Sequence, residues 1–280
     1  MKIPTTAYQS LYDQYQSGMS FQAIENITGY NRHDVSFVLR NYYGIQPRRR
    51  LYYINDKFFE NIISEEQAYW LGFIAADGCV YYRKTSKTLS FNLNVRDEEH
   101  LLKFKKAISS TALIRHKRGS GFGEGTEIVE LVINSNKICE DLAKQNIVPH
   151  KSLILKPPNL PEELVSHWIR GYFDGDGSIS LTEKAGYINF TGTKEVLTFI
   201  QNFLRPNTEK VQLQKRYSDN KNCYYFSYGG TNSILIALDK FYASPSIYLE
   251  RKYNKVLEVY SRFGKKSPKV LEEELLETLK

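Results

Sequence analysis

Apolar residues recur at every second position in some segments of the chain and at every third or fourth position in others. The first spacing predicts strands, and the second predicts helices. Residues 88–96 show the strand spacing most clearly, with apolar side chains at Leu89, Phe91, Leu93 and Val95. The opposite face of this strand carries Ser90, Asn92, Asn94 and Arg96. The segment is therefore predicted to be a strand with one buried and one solvated face.

The predicted elements come in the same order twice. The first half has strands at residues 80–83 and 88–96, a helix at 98–108, strands at 112–117 and 127–134, and a helix at 136–145. The second half has strands at residues 178–182 and 187–191, a helix at 194–203, strands at 208–216 and 223–228, and a helix at 232–241. Self-similarity of this kind predicts a duplicated α+β unit.

A nine-residue pattern precedes each set of strands. WLGFIAADG at residues 70–78 and IRGYFDGDG at residues 169–177 both have glycine in third position, a small residue in seventh position and Asp-Gly at the end. Gly72 and Ala76 are four residues apart, as are Gly171 and Gly175, so each pair lies on one face of a helix. A face without large side chains predicts that two helix backbones approach closely.

Each pattern ends in the same two residues. Gly78 and Gly177 are predicted to end their helices in the left-handed conformation that glycine favours. If the two halves meet about a pseudo-twofold axis, Asp77 and Asp176 come to one place. Two carboxylates that lie close together repel, and their repulsion raises a pKa unless a divalent cation lies between them.

The paired patterns resemble those of the LAGLIDADG homing endonucleases, in the single-chain form with two motifs, over about residues 56–262. The resemblance implies two αββαββα halves with pseudo-twofold symmetry and the motif helices at their interface. It implies that Asp77 and Asp176 bind catalytic Mg²⁺, with Mn²⁺ as a substitute, and that the carbonyls of Ala76 and Gly175 are further ligands. Ala75 stands where the second copy has Asp174, but that position is not a metal ligand in the family.

The same resemblance implies that basic residues reach the active site. Lys151, in the sequence VPHKS at residues 148–152, resembles a lysine of the family's inter-domain stretch that reaches back to the metals. The matching place in the second half is YLERK at residues 248–252, which indicates Lys252 or else Arg251. Such residues assist charge development at a scissile phosphate. The alternative is that they are solvated charges that flank loops.

The polar faces of the strands are predicted to contact DNA, because Lys, Arg, Gln and Asn side chains reach phosphates and base edges in the major groove. The first-half residues are Ser90, Asn92, Asn94, Arg96, Arg115 and Lys117. The second-half residues are Lys210, Gln212, Gln214 and Arg216. The alternative is that these are the solvated faces that any antiparallel sheet presents.

The leading residues 1–46 are predicted to form a small all-α helix-turn-helix-like domain, with a turn at Gly29 and a last helix at residues 31–43. The predicted groove-facing residues are Asn31, Arg32, His33, Ser36 and Arg40. A plain three-helix packing unit is the alternative. The basic linker that follows contains Arg48, Arg49 and Arg50. Residues 265–280 are predicted to form an amphipathic helix.

Composition narrows the class of partner. A formal charge of +7 and a pI near 9 favour a polyanionic partner. Three cysteines without CxxC spacing argue against a disulfide framework and favour a reducing, intracellular compartment. No stretch of about 18 apolar residues occurs, so a soluble protein without membrane contact is predicted. No phosphate-loop or zinc pattern is found, and no small-molecule cofactor is expected.

Together with these features, the resemblance implies a monomeric, site-specific endonuclease that makes double-strand breaks in a long, asymmetric double-stranded DNA target by metal-dependent phosphodiester hydrolysis. The predicted domains are residues 1–46, a linker at 47–60, two halves at 61–155 and 156–262, and a tail at 263–280. The alternatives are a non-cleaving DNA-binding regulator and an intron maturase that binds RNA, both on the same scaffold. An intein is disfavoured, because residue 1 is no nucleophile and no His-Asn ending is present.

Overall fold

The computed structural model describes residues 3–45, 52–119, 125–183, 185–204, 212–216 and 221–263. The chain divides into two compact units, Met1–Leu51 and Tyr52–Lys280. Lys210, the arginines of the basic linker and the predicted tail helix lie outside the described residues. Within the described ranges, no helix is long and apolar enough to span a membrane.

The smaller unit consists of helices α1 (Tyr8–Gln16), α2 (Phe21–Thr28) and α3 (Arg32–Tyr43). Ser20 begins α2 by accepting a hydrogen bond from the backbone N–H of Ala23, and Gly29 ends it at φ 72°. A small apolar core holds the helices together, formed by Leu11, Tyr15, Ile24, Val35 and Leu39. Ile27 shares the helical spacing of these residues in the sequence, yet its side chain is 63% exposed.

The larger unit contains the predicted order of elements twice. The first half comprises α4 (Glu65–Asp77), β1 (Cys79–Tyr82), β2 (Lys87–Asn94), α5 (Glu98–Ala107), β3 (Ile114–Arg118), β4 (Glu127–Asn134) and α6 (Asn136–Lys144). The second half comprises α7 (Glu162–Asp176), β5 (Ser178–Leu181), β6 (Gly186–Gly192), α8 (Lys194–Leu204), β7 (Gln214–Lys215), β8 (Tyr224–Gly229) and α9 (Thr231–Tyr242), followed by α10 (Glu250–Arg262). The two antiparallel sheets have the orders β1-β2-β4-β3 and β5-β6-β8-β7. The predicted duplicated α+β fold is confirmed.

Two elements differ from the prediction, and a third lies partly outside the described residues. Strand β2 ends at Asn94, whose side chain accepts a hydrogen bond from the N–H of Arg96 and starts a 3₁₀ turn, so Arg96 does not lie on the strand face. The strand predicted at residues 208–216 is described only as Gln214–Lys215. Helix α10 was not predicted, although Tyr253, Val256 and Tyr260 have helical spacing and are buried.

Helices α4 and α7 cross with their backbones in direct contact. A methyl group on Gly72 would lie 2.0 Å from the carbonyl oxygen of Trp168, and one on Gly171 would lie 1.9 Å from that of Tyr69. One on Gly175 would lie 2.3 Å from the Cβ of Ala76. These distances are far below van der Waals contact, so the predicted close approach along the glycine faces is confirmed.

The glycines that end the two motifs have a different role from the predicted one. Gly78 has φ −72° and Gly177 has φ −79°, so neither adopts the left-handed conformation. A Cβ on Gly78 would lie 2.8 Å from the carbonyl oxygen of Ile74, and one on Gly177 would lie 2.1 Å from the ring of Phe173. Glycine is therefore needed here because the chain folds back tightly against the preceding turn.

Polar contacts fix the opposite end of the helix pair. Ser64 and Gln67 form a capping box, in which each side chain bonds to the backbone N–H of the other, and α4 therefore begins at Glu65. The buried guanidinium of Arg170 on α7 lies 2.5 Å from the carboxylate of Glu65 and donates to the carbonyls of Phe241 and Ile247. The start of α4 is thereby tied to the second half.

We predict that Gly171→Ala lowers the free energy of unfolding of the larger unit by about 3 kcal/mol, because its methyl group forces the two helix backbones apart. Urea unfolding followed by tryptophan fluorescence reports this change, since Trp70 and Trp168 are buried beside the contact. The control Glu66→Ala, at an exposed position on α4, should cost about 0.5 kcal/mol or less. Equal midpoints for wild type and Gly171→Ala would contradict the close approach.

Candidate functional site

Asp77 and Asp176 are the last residues of α4 and α7, so the crossing of these helices determines where both carboxylates lie. Asp77 lies beside the other motif, because a methyl group on Gly175 would be 3.3 Å from its Oδ2. The negative charge of Asp77 also raises the pKa of Asp176. The structure therefore brings the two predicted metal ligands to one place.

The pKa of each carboxyl group is raised, although both side chains are exposed to solvent. Surrounding protein atoms remove part of their hydration, and this desolvation is the main cause for each of them. The pKa of Asp176 rises to about 6, with Asp77 as the second cause. The ammonium groups of Lys151 and Lys252 act in the opposite direction on both carboxylates. Desolvation thus disfavours the charged form of both carboxylates, and the neighbouring cations only partly oppose this effect.

Lys151 and Lys252 are both buried beside the motif ends. Lys151 Nζ donates to the carbonyl oxygen of Ala76 at 3.1 Å, and Lys252 Nζ donates to that of Phe173 at 2.7 Å and also to that of Gly177. Burial lowers the pKa of both lysines, that of Lys252 to about 8. The carbonyl oxygen of Ala76, which was predicted to be a metal ligand, therefore already accepts a hydrogen bond from Lys151.

The alternative basic residue of the second half points elsewhere. Arg251 Nε donates to both carboxylate oxygens of Asp97, at 2.9 and 3.1 Å. Asp97 is buried at the start of α5, so this pair joins the start of α10 to the first half. Lys252, rather than Arg251, is therefore the basic residue that contacts the motif end.

A cavity of about 380 Å³ opens beside Asp176. Lys151, Gly175 and Arg216 are among the residues that line it. Arg216 was predicted to contact DNA. In the structure its Nη1 donates to Thr191 Oγ1 at 3.0 Å, and its charge lowers the pKa of Asp176. The structure thus places Arg216 within electrostatic reach of the carboxylate pair.

The donor set suits a hard divalent cation. The described residues hold no group of three or more His, Cys, Asp or Glu side chains that could form a closed metal cage. Mg²⁺ needs no such cage, because it binds through one or two carboxylates and completes its shell with water and phosphate oxygens. Asp77, Asp176 and the carbonyl of Gly175 provide oxygen donors of this kind, and a cation would relieve the repulsion between the carboxylates.

A buried polar network, missed by sequence reasoning, surrounds Asp174, two residues before Asp176. The carboxylate of Asp174 has no solvent contact and accepts hydrogen bonds from Tyr69 Oη and the N–H of Leu249, each at 2.7 Å, and from Tyr242 Oη. Leu249 immediately precedes α10, so Asp174 holds the helix that carries Lys252. An aspartate within an apolar motif was the available signal.

The network continues into the first half through Tyr69. Its hydroxyl, which donates to Asp174, lies 2.9 Å from His100 Nε2. Since a hydroxyl has one proton, His100 Nε2 is assigned as the donor of this second bond. Burial lowers the pKa of His100 to about 3, so its ring is neutral at physiological pH. The two halves are therefore joined by a neutral histidine and an aspartate across the motif helices.

The residues of the two sheets that were predicted to contact DNA differ in their exposure and in their ion pairs. Asn92 and Asn94 are exposed, and Ser90 is half-buried. Arg115 and Lys117 are exposed on β3, but both form ion pairs with Glu130, at 3.5 and 2.5 Å. Gln212 and Gln214 are exposed in the second half. Sequence reasoning missed Glu130, which lies among the predicted basic contacts.

In the smaller unit, two of the predicted residues have structural partners. Asn31 caps α3 by accepting from the N–H of His33, and Arg32 Nη1 donates to Gln22 Oε1 at 2.6 Å. His33 and Arg40 are exposed on α3, and Ser36 is half-buried. Phe37, which was not predicted, is 65% exposed on the same helix and lies four residues after His33.

Residues 163–242 match the family model described as the LAGLIDADG-like domain, and no curated protein sequence matches the chain. Among solved structures, the chain is similar to meganuclease I-SmaMI bound to uncleaveable DNA, at 13% identity over 76% of this chain and 97% of that chain, with a TM-score of 0.47.

Two further structures are similar to the same extent. The I-LtrWI LAGLIDADG homing endonuclease bound to target DNA is 12% identical over 75% of this chain and 91% of that chain, with a TM-score of 0.46. Meganuclease I-CpaMI bound to uncleaved DNA is 13% identical over 77% of this chain and 97% of that chain, with a TM-score of 0.45. The family-model match thus gives a LAGLIDADG-like domain at residues 163–242, and residues 65–144 repeat the order of its helices and strands.

Proposed function

We propose that the protein is a site-specific DNA endonuclease of the homing type, which acts as a monomer and hydrolyses phosphodiester bonds in both strands of double-stranded DNA with Mg²⁺. The observation that carries this proposal is the pair Asp77 and Asp176, held together at the ends of the crossed helices and flanked by the buried Lys151 and Lys252. A purely structural helix contact does not need two adjacent carboxylates with raised pKa values and a buried lysine beside each motif.

The proposed chemistry divides between the metal and the chain. When bound, a divalent metal would supply activation of water and neutralisation of charge on the phosphate oxygens. Asp77, Asp176 and the carbonyl of Gly175 would hold it. The ammonium groups of Lys151 and Lys252, fixed by carbonyl hydrogen bonds, would stabilise the negative charge that develops on the phosphate. With a pKa of about 8, Lys252 remains mostly protonated at neutral pH.

DNA binding is proposed for the outer faces of the two sheets and for α3 of the smaller unit. The formal charge of +7 supports a polyanionic partner. Corresponding positions of the two sheets carry different polar residues, such as Asn92 beside Glu130 in one and Thr191 beside Tyr225 in the other. Two unlike reading faces support an asymmetric target sequence.

We predict that Asp77→Asn and Asp176→Asn each lower double-strand cleavage by about 100-fold or more, because each removes a charged metal ligand from the site. Cleavage of DNA from a randomised library, with the cut ends sequenced in Mg²⁺ and in EDTA, measures this. DNA binding should persist, since Asn has nearly the same shape as Asp. The control Asp56→Asn, at an exposed carboxylate, should cut like wild type.

Other outcomes of this experiment are also decisive. One active centre is expected for each DNA strand. Loss of cutting on both strands in either variant means that the two centres share metal, whereas a single nicked strand means that they act independently. Full cleavage by both variants, or by wild type in EDTA, contradicts the proposed mechanism. Sequence-selective binding without any cleavage by wild type would support the alternative regulator.

We predict that Asp176→Asn stabilises the metal-free protein at pH 7 by about 1 kcal/mol, a value reduced from the full pKa shift because the carboxylate reaches solvent. The pKa of Asp176 in the folded protein is about 6, above the ordinary value of 3.8. The free energy of unfolding of wild type therefore falls as the pH rises from about 4 through 6, whereas Asn at this position does not titrate. Urea unfolding in EDTA at pH 4.5 and pH 7 checks the difference between the two proteins. Equal pH dependence in both would contradict the raised pKa.

We predict that the double variant His33→Ala, Arg40→Ala weakens DNA binding several-fold and reduces its salt dependence, because two basic side chains are lost. The cut position should stay the same, because α3 carries none of the proposed metal ligands. Binding titrations at several salt concentrations measure both effects. Ser10→Ala, at an exposed position on α1, is the control. Unchanged affinity and salt slope would show that the smaller unit does not contact DNA through α3.

A further inference from the structure

A carboxylate lies at the centre of the outer face of the first sheet. Glu130 is in the middle of β4, between Val129 and Leu131, whose side chains are buried on the inner face. Its cross-strand partners are Asn92 on β2 and Arg115 on β3. Successive side chains of a strand alternate between faces, so Glu130 is on the outer face, in one row with Asn92 and Arg115.

Two basic side chains cover this carboxylate. Lys117 Nζ lies 2.5 Å from Glu130 Oε1, and Arg115 Nη1 lies 3.5 Å from Oε2. Among the described residues, Oε2 makes no hydrogen bond, although solvent does not reach it. The carboxylate is therefore held by charge, while one of its oxygens still lacks a hydrogen-bond donor, which is an unfavourable state for a buried acceptor.

The two basic side chains are much more exposed than the carboxylate that they contact. The side chains of Arg115 and Lys117 are 51% and 44% exposed, whereas that of Glu130 is 13% exposed. The charged ends of the two basic side chains can therefore be reached from solvent, while most of the carboxylate beneath them cannot. A DNA phosphate or a guanine edge can therefore draw the basic ends away and open the carboxylate to the groove.

The fold itself does not require an acid at this position. In the second sheet the matching row is Thr191, Tyr225 and Gln214. The residue that corresponds to Glu130 is thus a tyrosine, and its row carries no charge. Glu130 is a property of the first half alone, which points to a role in what that half binds rather than in how the sheet is built.

The chemistry of a carboxylate restricts what it can read. An ionised carboxylate only accepts hydrogen bonds, and in the major groove the exposed amino group of cytosine is the donor that it matches. Phosphate oxygens repel it. Arg115 and Lys117 on the next strand supply the donors that match O6 and N7 of guanine. The three side chains together are complementary to a C·G base pair.

We propose that Glu130 determines sequence specificity by selecting a cytosine in the half-site that the first sheet contacts. This inference rests on the proposed function, because it assumes that the outer face of that sheet lies in the major groove. A Glu130 that only pairs with Arg115 and Lys117 would change overall affinity without favouring any base at one position. The two roles therefore differ in the sequence profile of binding.

Selection of bound DNA from a randomised library, with Ca²⁺ in place of Mg²⁺, separates them for wild type, Glu130→Gln and Glu130→Ala. Wild type should select cytosine at one position, and both variants should lose that preference by about 10-fold. Glutamine pairs with adenine, so Glu130→Gln should gain adenine there, while Glu130→Ala gains no base. The control Glu127→Gln, at the exposed end of the same strand, should keep the wild-type profile.

The other outcomes distinguish the role of Glu130 from the proposed function. Identical profiles for wild type and both variants, or uniformly tighter binding without a change at one position, overturn the role of Glu130 and leave the proposed function intact. Absence of sequence-selective DNA binding by wild type overturns the proposed function together with this inference. Thermal melts of both variants serve as the folding control, and the isosteric Glu130→Gln should melt like wild type.

Discussion

The contact between the backbones of α4 and α7 is the constraint on which the rest of the larger unit depends. It is reciprocal: Gly72 lies against the carbonyl of Trp168, and Gly171 lies against that of Tyr69. Each member of one pair is 99 residues from its counterpart in the other, as a pseudo-twofold axis requires. Because both helices end in Asp-Gly, this one contact also determines that the carboxylates of Asp77 and Asp176 share a site.

The charges at this site are costly for the isolated protein. Desolvation raises the pKa of both carboxylates and lowers that of Lys151 and Lys252, so the charged form of each group is disfavoured by its surroundings. Hydrogen bonds to backbone carbonyls hold the two ammonium groups in place nonetheless. In the proposed function, a divalent cation and a phosphate would bind beside these groups, whose positions the fold already determines.

The two halves share a backbone plan but differ in their polar residues. Asp174 anchors the start of α10 in the second half, and the first copy has Ala75 at that position. Glu130 lies in the central row of the first sheet, where the second has Tyr225. Apolar periodicity was kept in both copies because both sheets must bury one face, whereas outer-face and network residues were free to diverge. These differences make the outer faces of the two sheets unlike.

The sequence by itself determined the duplicated order of helices and strands, the glycine faces and the two aspartates, because these follow from local periodicity and steric size. Only the tertiary structure decided that Gly78 and Gly177 are needed for room rather than for a left-handed φ, and that Arg251 pairs with Asp97 while Lys252 turns to the motif end. It likewise placed Arg216 near the carboxylate pair. Each of these outcomes depends on an atom from a distant part of the chain, and local patterns carry no information on such contacts.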